Sequence, residues 1–541
     1  MGEVKHALSG ASRGGQRVVG AAALMIASIG ISRIVGLVRM KVFASWYGAT
    51  PETDAFVLAF ALPDLVFLLV GGGVIASAFI PYFAGRVQRG EEDAAWRTFS
   101  NLLSVVGGGL ALLLVGLYFA APYAVPIVVA RLSPDVQPLC IDLTRIMLGA
   151  QWFMFFGGLT MGALNAKHNY WVPALAPILY NLCIIAGIVG FGADQGLYAA
   201  AWAVLVGALI SNTVLQIPAL RAVGARLRPV FDPREPGLRQ VLLFMVPVIL
   251  SLCVIHIDTI ISKFLATGDA FDGAATCLEN AYRLAMVPVG MFAMGAGVAS
   301  LPTLSENVAA GELDTYRRHL SLALRTVLFL TVPTVLLMGA LARPVVGAIY
   351  EGGAFTGQDA DYTALILVYF CAGTIGLAGQ QFLPRAFYAL NDSVTPCLIG
   401  AGSVLVHVAV AVCLFPVMAT PGTALATAIA SSLAFAAMLI ALRRRIGGID
   451  GRKVLGSLVR ITLAGGIAAL AARGSYEWLF GAGELSATSA RVWAAVGPLA
   501  VGAVVLIALV PVLRIEEGLL FWDSLRRRLP GRRQAAPDRA K

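Results

Sequence analysis

AFIPYFAGRVQRGEEDAAWRTFSNLL, Ala78–Leu103, and ASLPTLSENVAAGELDTYRRHLSLAL, Ala299–Leu324, are one passage written twice. Setting Pro81 on Pro302 fixes an offset of 221 residues. It brings Gly90 onto Gly311, Glu91 onto Glu312, Asp93 onto Asp314 and Ser100 onto Ser321. In both copies an apolar run ends, a Gly-Glu turn follows, and a new apolar run begins. A second passage recurs at a similar distance: Gly196-Leu-Tyr-Ala-Ala-Ala resembles Gly422-Thr-Ala-Leu-Ala-Thr near an offset of 226. The chain reads as a duplication.

The duplicated unit is a set of membrane spans. Of 541 residues, 58% are hydrophobic and 13% charged, with a mean hydropathy of +0.81. That charged fraction is about half of what a soluble domain carries. Apolar segments long enough to span a bilayer, about 20 residues, number fourteen: 18–43, 54–83, 98–121, 138–163, 171–191, 197–219, 241–266, 276–302, 320–342, 362–384, 395–415, 422–442, 454–472 and 490–513. The repeat period is six spans. Six is even, so both copies cross in the same sense and form a parallel repeat about the membrane normal. The expected fold is an all-α polytopic membrane protein of about 14 transmembrane helices. It comprises two six-helix lobes, residues 1–220 and 235–445, facing each other across a central cavity. Two added helices (450–515) and a basic tail (516–541) follow. Duplicated lobes with charge inside the spans point to a transporter working by rocking of lobes. The competing account is a structural bundle with buried ion pairs.

A net charge of +10 raises the question of nucleic acid. The distribution of the charge answers it. With fourteen spans and an inside N-terminus, the outside loops hold only Arg131, Arg343, Arg473 and Arg491, and the remaining loop and terminal Lys and Arg fall inside. This is the positive-inside pattern. It places both termini in the cytoplasm and leaves no nucleic-acid role. Arg13 and Arg17 precede a first apolar run too long for a signal peptide, so that run is a retained helix. The seven cysteines lie in or beside apolar spans without close pairs, which gives neither a disulfide framework nor a metal site. No Walker-type loop or nucleophile motif is present, and no soluble enzymatic domain is left over. Gly71-Gly-Gly and Gly107-Gly-Gly, inside apolar helices, read as sites of close helix packing.

The charges inside the spans carry the functional reading. Gly30–Phe43, GISRIVGLVRMKVF, puts Arg33, Arg39 and Lys41 on an apolar helix. Each cation near the bilayer centre costs on the order of 3 kcal/mol. Arg33 and Arg39 are six residues apart, about 120° around a helix. The planar guanidinium fork is suited to phosphate, so an anionic substrate is one partner for them. Asp54, opening span two, and Asp64, ten residues further in, are the alternative, as ion-pair partners or gate residues. Lys41, near the span's outer end, is expected to snorkel. The second half offers His256 and Asp258 in span seven and Arg283 in span eight, with a pairing of Asp258 and Arg283 allowed by their spacing. His407 in span eleven is either a titrating group or a satisfied hydrogen-bonder. Asp142 and Arg145, three apart, read as an ion pair.

SRIVGLVR (Ser32–Arg39), TDAF (Thr53–Phe56), AFIPYF (Ala78–Phe83), NAYRLAMVPVG (Asn280–Gly290), LPTLS (Leu301–Ser305) and RAFYALNDSVTP (Arg385–Pro396) resemble the MurJ/MviN family of lipid II flippases. That family belongs to the multidrug/oligosaccharidyl-lipid/polysaccharide exporter superfamily, and the likeness covers essentially the whole chain. It implies a bacterial inner-membrane flippase that moves a lipid-linked peptidoglycan precursor outward by alternating access, without catalysis or a bound cofactor. The cargo is an undecaprenyl-pyrophosphate-linked headgroup. Membrane lipids and cell-wall synthesis proteins are the implied partners. By position, Arg33, Arg39 and Arg283 match the family's cavity arginines, and Asp54 matches its acidic residue at the outer end of span two. The family's sodium site maps to Asp258, His407, Ala411 and Thr427, which leaves sodium or proton coupling open. Departures stand at Phe67, Leu68 and Gly72, where the family has arginine and a Glu-Gly, and at Met40, where an acid is usual. They keep two alternatives in play: transport of another polyprenyl-linked sugar or amphiphile, and a transport-inactive cell-wall scaffold.

Overall fold

The computed structural model describes residues 28, 30–70, 79, 82–167, 169–481 and 487–519. The start of the first expected span, Gly71-Gly-Gly and Pro81 in the second, and the basic tail from residue 520 lie outside them. The described residues are helical apart from turns, irregular connections such as 225–232, and one isolated bridge between Gly352 and Phe355. Ten helices or helix runs among them are long and apolar enough to cross a membrane. One of these, Val394–Ile446, has 53 residues. At 1.5 Å per residue it would be about 80 Å long, far beyond a hydrocarbon core of about 30 Å. Ala419, with φ 54° and ψ −142° between Pro416 and Pro421, divides it into two spans.

The same break recurs in the first half. Gly196 has φ 55° and ψ −136° and opens the helix Leu197–Leu209. The backbone therefore pairs Gly196 with Ala419, three residues before the Gly422 that sequence matching selects. The other repeated turn holds as well: Gly90 and Gly311 have φ 78° and 72°.

The chain divides into two compact units. The first takes the described residues up to Cys277 together with Ile349–Asp359; the second takes Leu278–Ala348 and those from Ala360 onward. Chain repeat and packing are different quantities. The helix Pro236–Ala266, seventh in the span count, packs in the first unit against Pro51–Ala59, Ala61–Val70 and Glu92–Val128.

The first unit is built on small residues and aromatics. Trp171–Gln195 lies so close to Leu197–Leu209 that a Cβ on Gly187 would stand 2.4 Å from that of Ala203. Phe79, Phe83, Trp96 and Phe99 form a buried ring cluster at the repeated turn. Of the Gly107–Gly109 run only Gly107 is a packing site, facing Phe155; the other two face open space. The segment entering Pro236–Ala266 is tied down by side chains of Glu92–Val128. Asn101 exchanges hydrogen bonds with the backbone of Asp232 (2.8 and 2.9 Å), Thr98 donates to Glu235 at 2.6 Å, and Ser100 accepts from the Arg228 N–H.

The second unit repeats the small-residue device. Gly373, Gly376 and Gly379 on Gly357–Ala389 face Ala428, Ser431 and Phe435, so two helix backbones nearly touch. Leu313–Ala340 packs along Gly451–Phe480, which packs along Thr488–Val512. Beyond that last helix, Glu517 is buried and pairs with Arg325 at 2.7 Å, while Ser457 donates to its other oxygen.

Candidate functional site

Residues 30–47 form a helix, named α1 here, that ends in a turn at Gly48. The helix Pro51–Ala59, α2, follows at once. Thr50 starts it with a reciprocal capping box to Thr53, and Pro51 supplies a first-turn φ without needing a donor. Arg33 is exposed on α1 and Arg39 is partly buried. Asp64 is half-buried on Ala61–Val70, the next helix, α3, in which Phe67 is exposed.

Asp54 is the most engaged of the singled-out residues. It is 3% exposed in the first turn of α2. Its carboxylate accepts the Ala275 N–H (3.2 Å), the Thr276 N–H (2.7 Å) and the Thr276 hydroxyl (2.7 Å). Those amides open the helix Ala274–Pro288, α4, and have no helical carbonyl to bond. A carboxylate at that place satisfies them and complements the positive helix end. Asp54 thus caps a helix distant in sequence. Ala275 lies 221 residues on, the same number as the repeat offset, so the contact joins equivalent positions of the two copies.

On α4, Arg283 makes an ion pair of 2.6 Å with Glu279 one turn earlier; the arginine side chain stays half exposed while the glutamate is mostly buried. Glu279 escaped the sequence reading because its spacing is that of an ordinary surface i,i+4 pair. Asp258 is partly buried on Pro236–Ala266, and its carbonyl accepts from Ser262.

His407 and Thr427 come together across the break at Ala419. Nε2 of His407, 1% exposed, is 3.2 Å from the Thr427 hydroxyl. That hydroxyl also lies within hydrogen-bond distance of the Thr423 carbonyl (3.1 Å). Ala411, one turn on from His407, is fully buried and offers only a methyl group. One imidazole and one hydroxyl are a poor match for sodium, which takes hard oxygen ligands. No group of three His, Cys, Asp or Glu side chains converges among the described residues.

Two further expectations fare differently. Asp142 and Arg145 pair at 3.7 Å as their spacing implies, with Tyr198 donating to Asp142 and the guanidinium over the Tyr118 ring. Lys41 does not merely snorkel. It donates to the carbonyl of Glu351, 310 residues away.

These features define a class before they define a family: a duplicated, all-helical, multi-pass membrane transporter of the multidrug-exporter fold. A solved inward-facing MATE-family transporter of the MOP superfamily aligns over 79% of this chain and 99% of its own at a TM-score of 0.65 and 16% identity. A structure described as lipid II flippase MurJ, inward closed conformation, aligns over 93% of this chain and 100% of its own at a TM-score of 0.75 and 20% identity. The sequence profile described as "Lipid II flippase MurJ" matches residues 43–489. The lipid II flippase MurJ of Burkholderia cenocepacia is 30% identical over 424 residues, covering 77% of this chain and 82% of that protein. The probable lipid II flippase MurJ of Rhizobium tropici is 29% identical over 422 residues, covering 76% and 79%. The chain belongs to the MurJ family.

Proposed function

We propose that this protein flips lipid II, the undecaprenyl-pyrophosphate-linked peptidoglycan precursor, from the cytoplasmic to the outer leaflet of the bacterial inner membrane by alternating access, with both termini cytoplasmic. The carrying observation is α1, an apolar helix with Arg33 exposed and Arg39 partly exposed, in a chain of this family. Guanidinium groups on such a helix are tolerated when a phosphate neutralises them. Arg33, Arg39 and Arg283 are the groups assigned to the pyrophosphate. Asp54 acts as a gate residue: its caps on Ala275 and Thr276 join two helix starts by polar bonds, which water can replace in each cycle. Asp64 is assigned as the ion-pair partner of an α1 arginine when no cargo is bound.

The step is movement rather than catalysis, and a cation gradient or the membrane potential drives it. The His407 imidazole, a nitrogen base beside the Thr427 hydroxyl, fits a proton better than a sodium ion, and Asp258 is the carboxylate that would share the coupling role. The test is flipping by the full chain in vesicles, with purified lipid II against another polyprenyl-linked sugar. Lipid II moved in preference, and Arg33→Ala inactive, is the expected result. Movement of the second lipid alone would mark a retuned cargo. Cell-level function surviving both Arg33→Ala and Arg283→Ala would mark a scaffold instead.

A further inference from the structure

Ile349–Asp359 is a short strap that packs with the first unit although it connects two helices, Ala342–Ile349 and Gly357–Ala389, that lie largely in the second. It is preshaped. Gly352 and Phe355 form a small antiparallel bridge, and Thr356 and Asp359 cap each other's N–H groups where the next helix begins. It docks on the end of α1 through backbone. The Ala354 N–H donates to the Ser45 carbonyl at 2.8 Å, and Lys41 donates to the Glu351 carbonyl. The approach is close enough to demand glycine on both sides. A Cβ on Gly353 (φ 63°) would lie 2.1 Å from the Ser45 oxygen, and one on Gly48 (φ 67°) would lie 2.6 Å from that of Ala354.

Lys41 and Ser45 are four residues apart and share a face of α1. Arg39 and Lys41 are two apart, about 200° around the helix, and face opposite ways. One rigid helix therefore presents a phosphate-binding side chain on one side and holds the strap on the other. A pyrophosphate gripped by Arg39 draws α1 from the face opposite the strap, and a rigid helix moves Lys41 and Ser45 with it.

We infer that the strap Ile349–Asp359 is a closure element that must leave α1 in every transport cycle, and that Lys41 is a positioning residue linking its release to cargo on the arginine face. The inference rests on the reading of α1 as the cargo helix.

The experiment uses full-length protein in vesicles carrying Ser45→Cys and Ala354→Cys, with each single substitution as the control for native cysteines. A copper oxidant drives the disulfide, and its rate and its effect on flipping are read together. Without cargo the disulfide forms readily. With saturating lipid II it forms about tenfold more slowly, within the range usual for coupled sites. The oxidised protein stops flipping, and reductant restores it. In the same background Lys41→Gln abolishes the cargo effect and Lys41→Arg keeps it; a merely structural lysine would shift both rates alike. Failure of the disulfide to form, or flipping by the oxidised protein at the reduced rate, overturns the proposal. If the reduced protein flips no lipid II, the cargo reading fails by itself. The strap is then judged by inorganic pyrophosphate alone: slowing of the disulfide sustains it, and an unchanged rate overturns it.

Discussion

The two copies of the repeat keep their backbone and trade their chemistry. At the start of α2 one copy carries Asp54; at the equivalent start of α4 the other carries Ala275 and Thr276, and the first accepts hydrogen bonds from the second. Ser100 accepts from a backbone N–H, while its equivalent Ser321 is buried with its hydroxyl unpartnered among the described residues. Gly196 and Ala419 share one left-handed break although only the first is glycine. A duplicated fold needs the turns to persist. The side chains at those turns are free to become complementary, and the acid and its donors at the junction are such a pair.

The sharpest way to break that comparison is to remove the acid. Asp54→Ala leaves two buried N–H donors without an acceptor, while the Thr276 hydroxyl keeps the Thr53 oxygen at 3.1 Å. Each lost bond to a charged group costs about 1.5–3 kcal/mol before relaxation, so thermal unfolding in detergent falls by at least about 3 kcal/mol and flipping is lost. Asp54→Asn keeps an acceptor oxygen and recovers part of both. An Asp54→Ala protein as stable as wild type would remove the complementarity from the account.

The breaks at Gly196 and Ala419 give a mirrored pair of smaller effects. A positive φ with ψ of about −140° costs an L-residue about 1–3 kcal/mol. Gly196→Ala, where space is open around the new Cβ, destabilises by about 1 kcal/mol, that strain less the unfolded-state entropy alanine removes. Ala419→Gly stabilises by about 1 kcal/mol, because the strain removed exceeds the unfolded-state entropy gained. Equal and opposite shifts in denaturation midpoint would show the two breaks to be the same device. Destabilisation by both would show that Ala419 is held by packing of its methyl group.

Asp392 is the local counterpart of Asp54, in the turn before Val394–Ile446. It accepts from the N–H groups of Val394 and Thr395 and from the Thr395 hydroxyl, and it pairs with Arg445. The bonds to Thr395, then the nearby Arg445 charge, hold its carboxyl below the usual carboxylate range. A depressed folded-state value means that its contribution is complete above the unfolded value near 4 and fades as pH falls through the folded one. Asp392→Asn should cost about 1 kcal/mol at neutral pH and flatten the loss of stability below pH of about 4. An unchanged acid limb would assign that limb to other carboxylates.

The smallest expected shift is at Arg283. Glu279→Gln removes the mostly buried charge and keeps an acceptor for the half-exposed arginine, so it barely moves the melting point. Arg283→Ala lowers the melting point no more than Glu279→Ala, which breaks the same pair, yet it alone abolishes flipping. A large loss of stability there would make Arg283 structural.

Much of this was legible in the sequence because duplication and hydropathy are periodic. The turns at Gly90 and Gly311 and the division of Val394–Ile446 into two spans follow from apolar runs and Pro-Gly punctuation. Asp142 and Arg145 were readable as a pair from their spacing alone. The break at Ala419 was not, since alanine at positive φ leaves no compositional mark. Nor was the role of Lys41. Its acceptor is a backbone carbonyl 310 residues away, and carbonyls have no letter in a sequence. Asp54 could be marked as an acid at a span's end, but the helix it caps could not. Long-range capping depends on two turns meeting, which the fold decides.

The account stands most directly on one measurement. A bacterial host depleted of its resident lipid II flippase would express this chain, as wild type and as Arg39→Ala, with membrane levels matched by blotting. Growth and cell shape restored by the wild type and not by Arg39→Ala is the predicted result. Equal rescue by both proteins, or none by a well-expressed wild type, would contradict it.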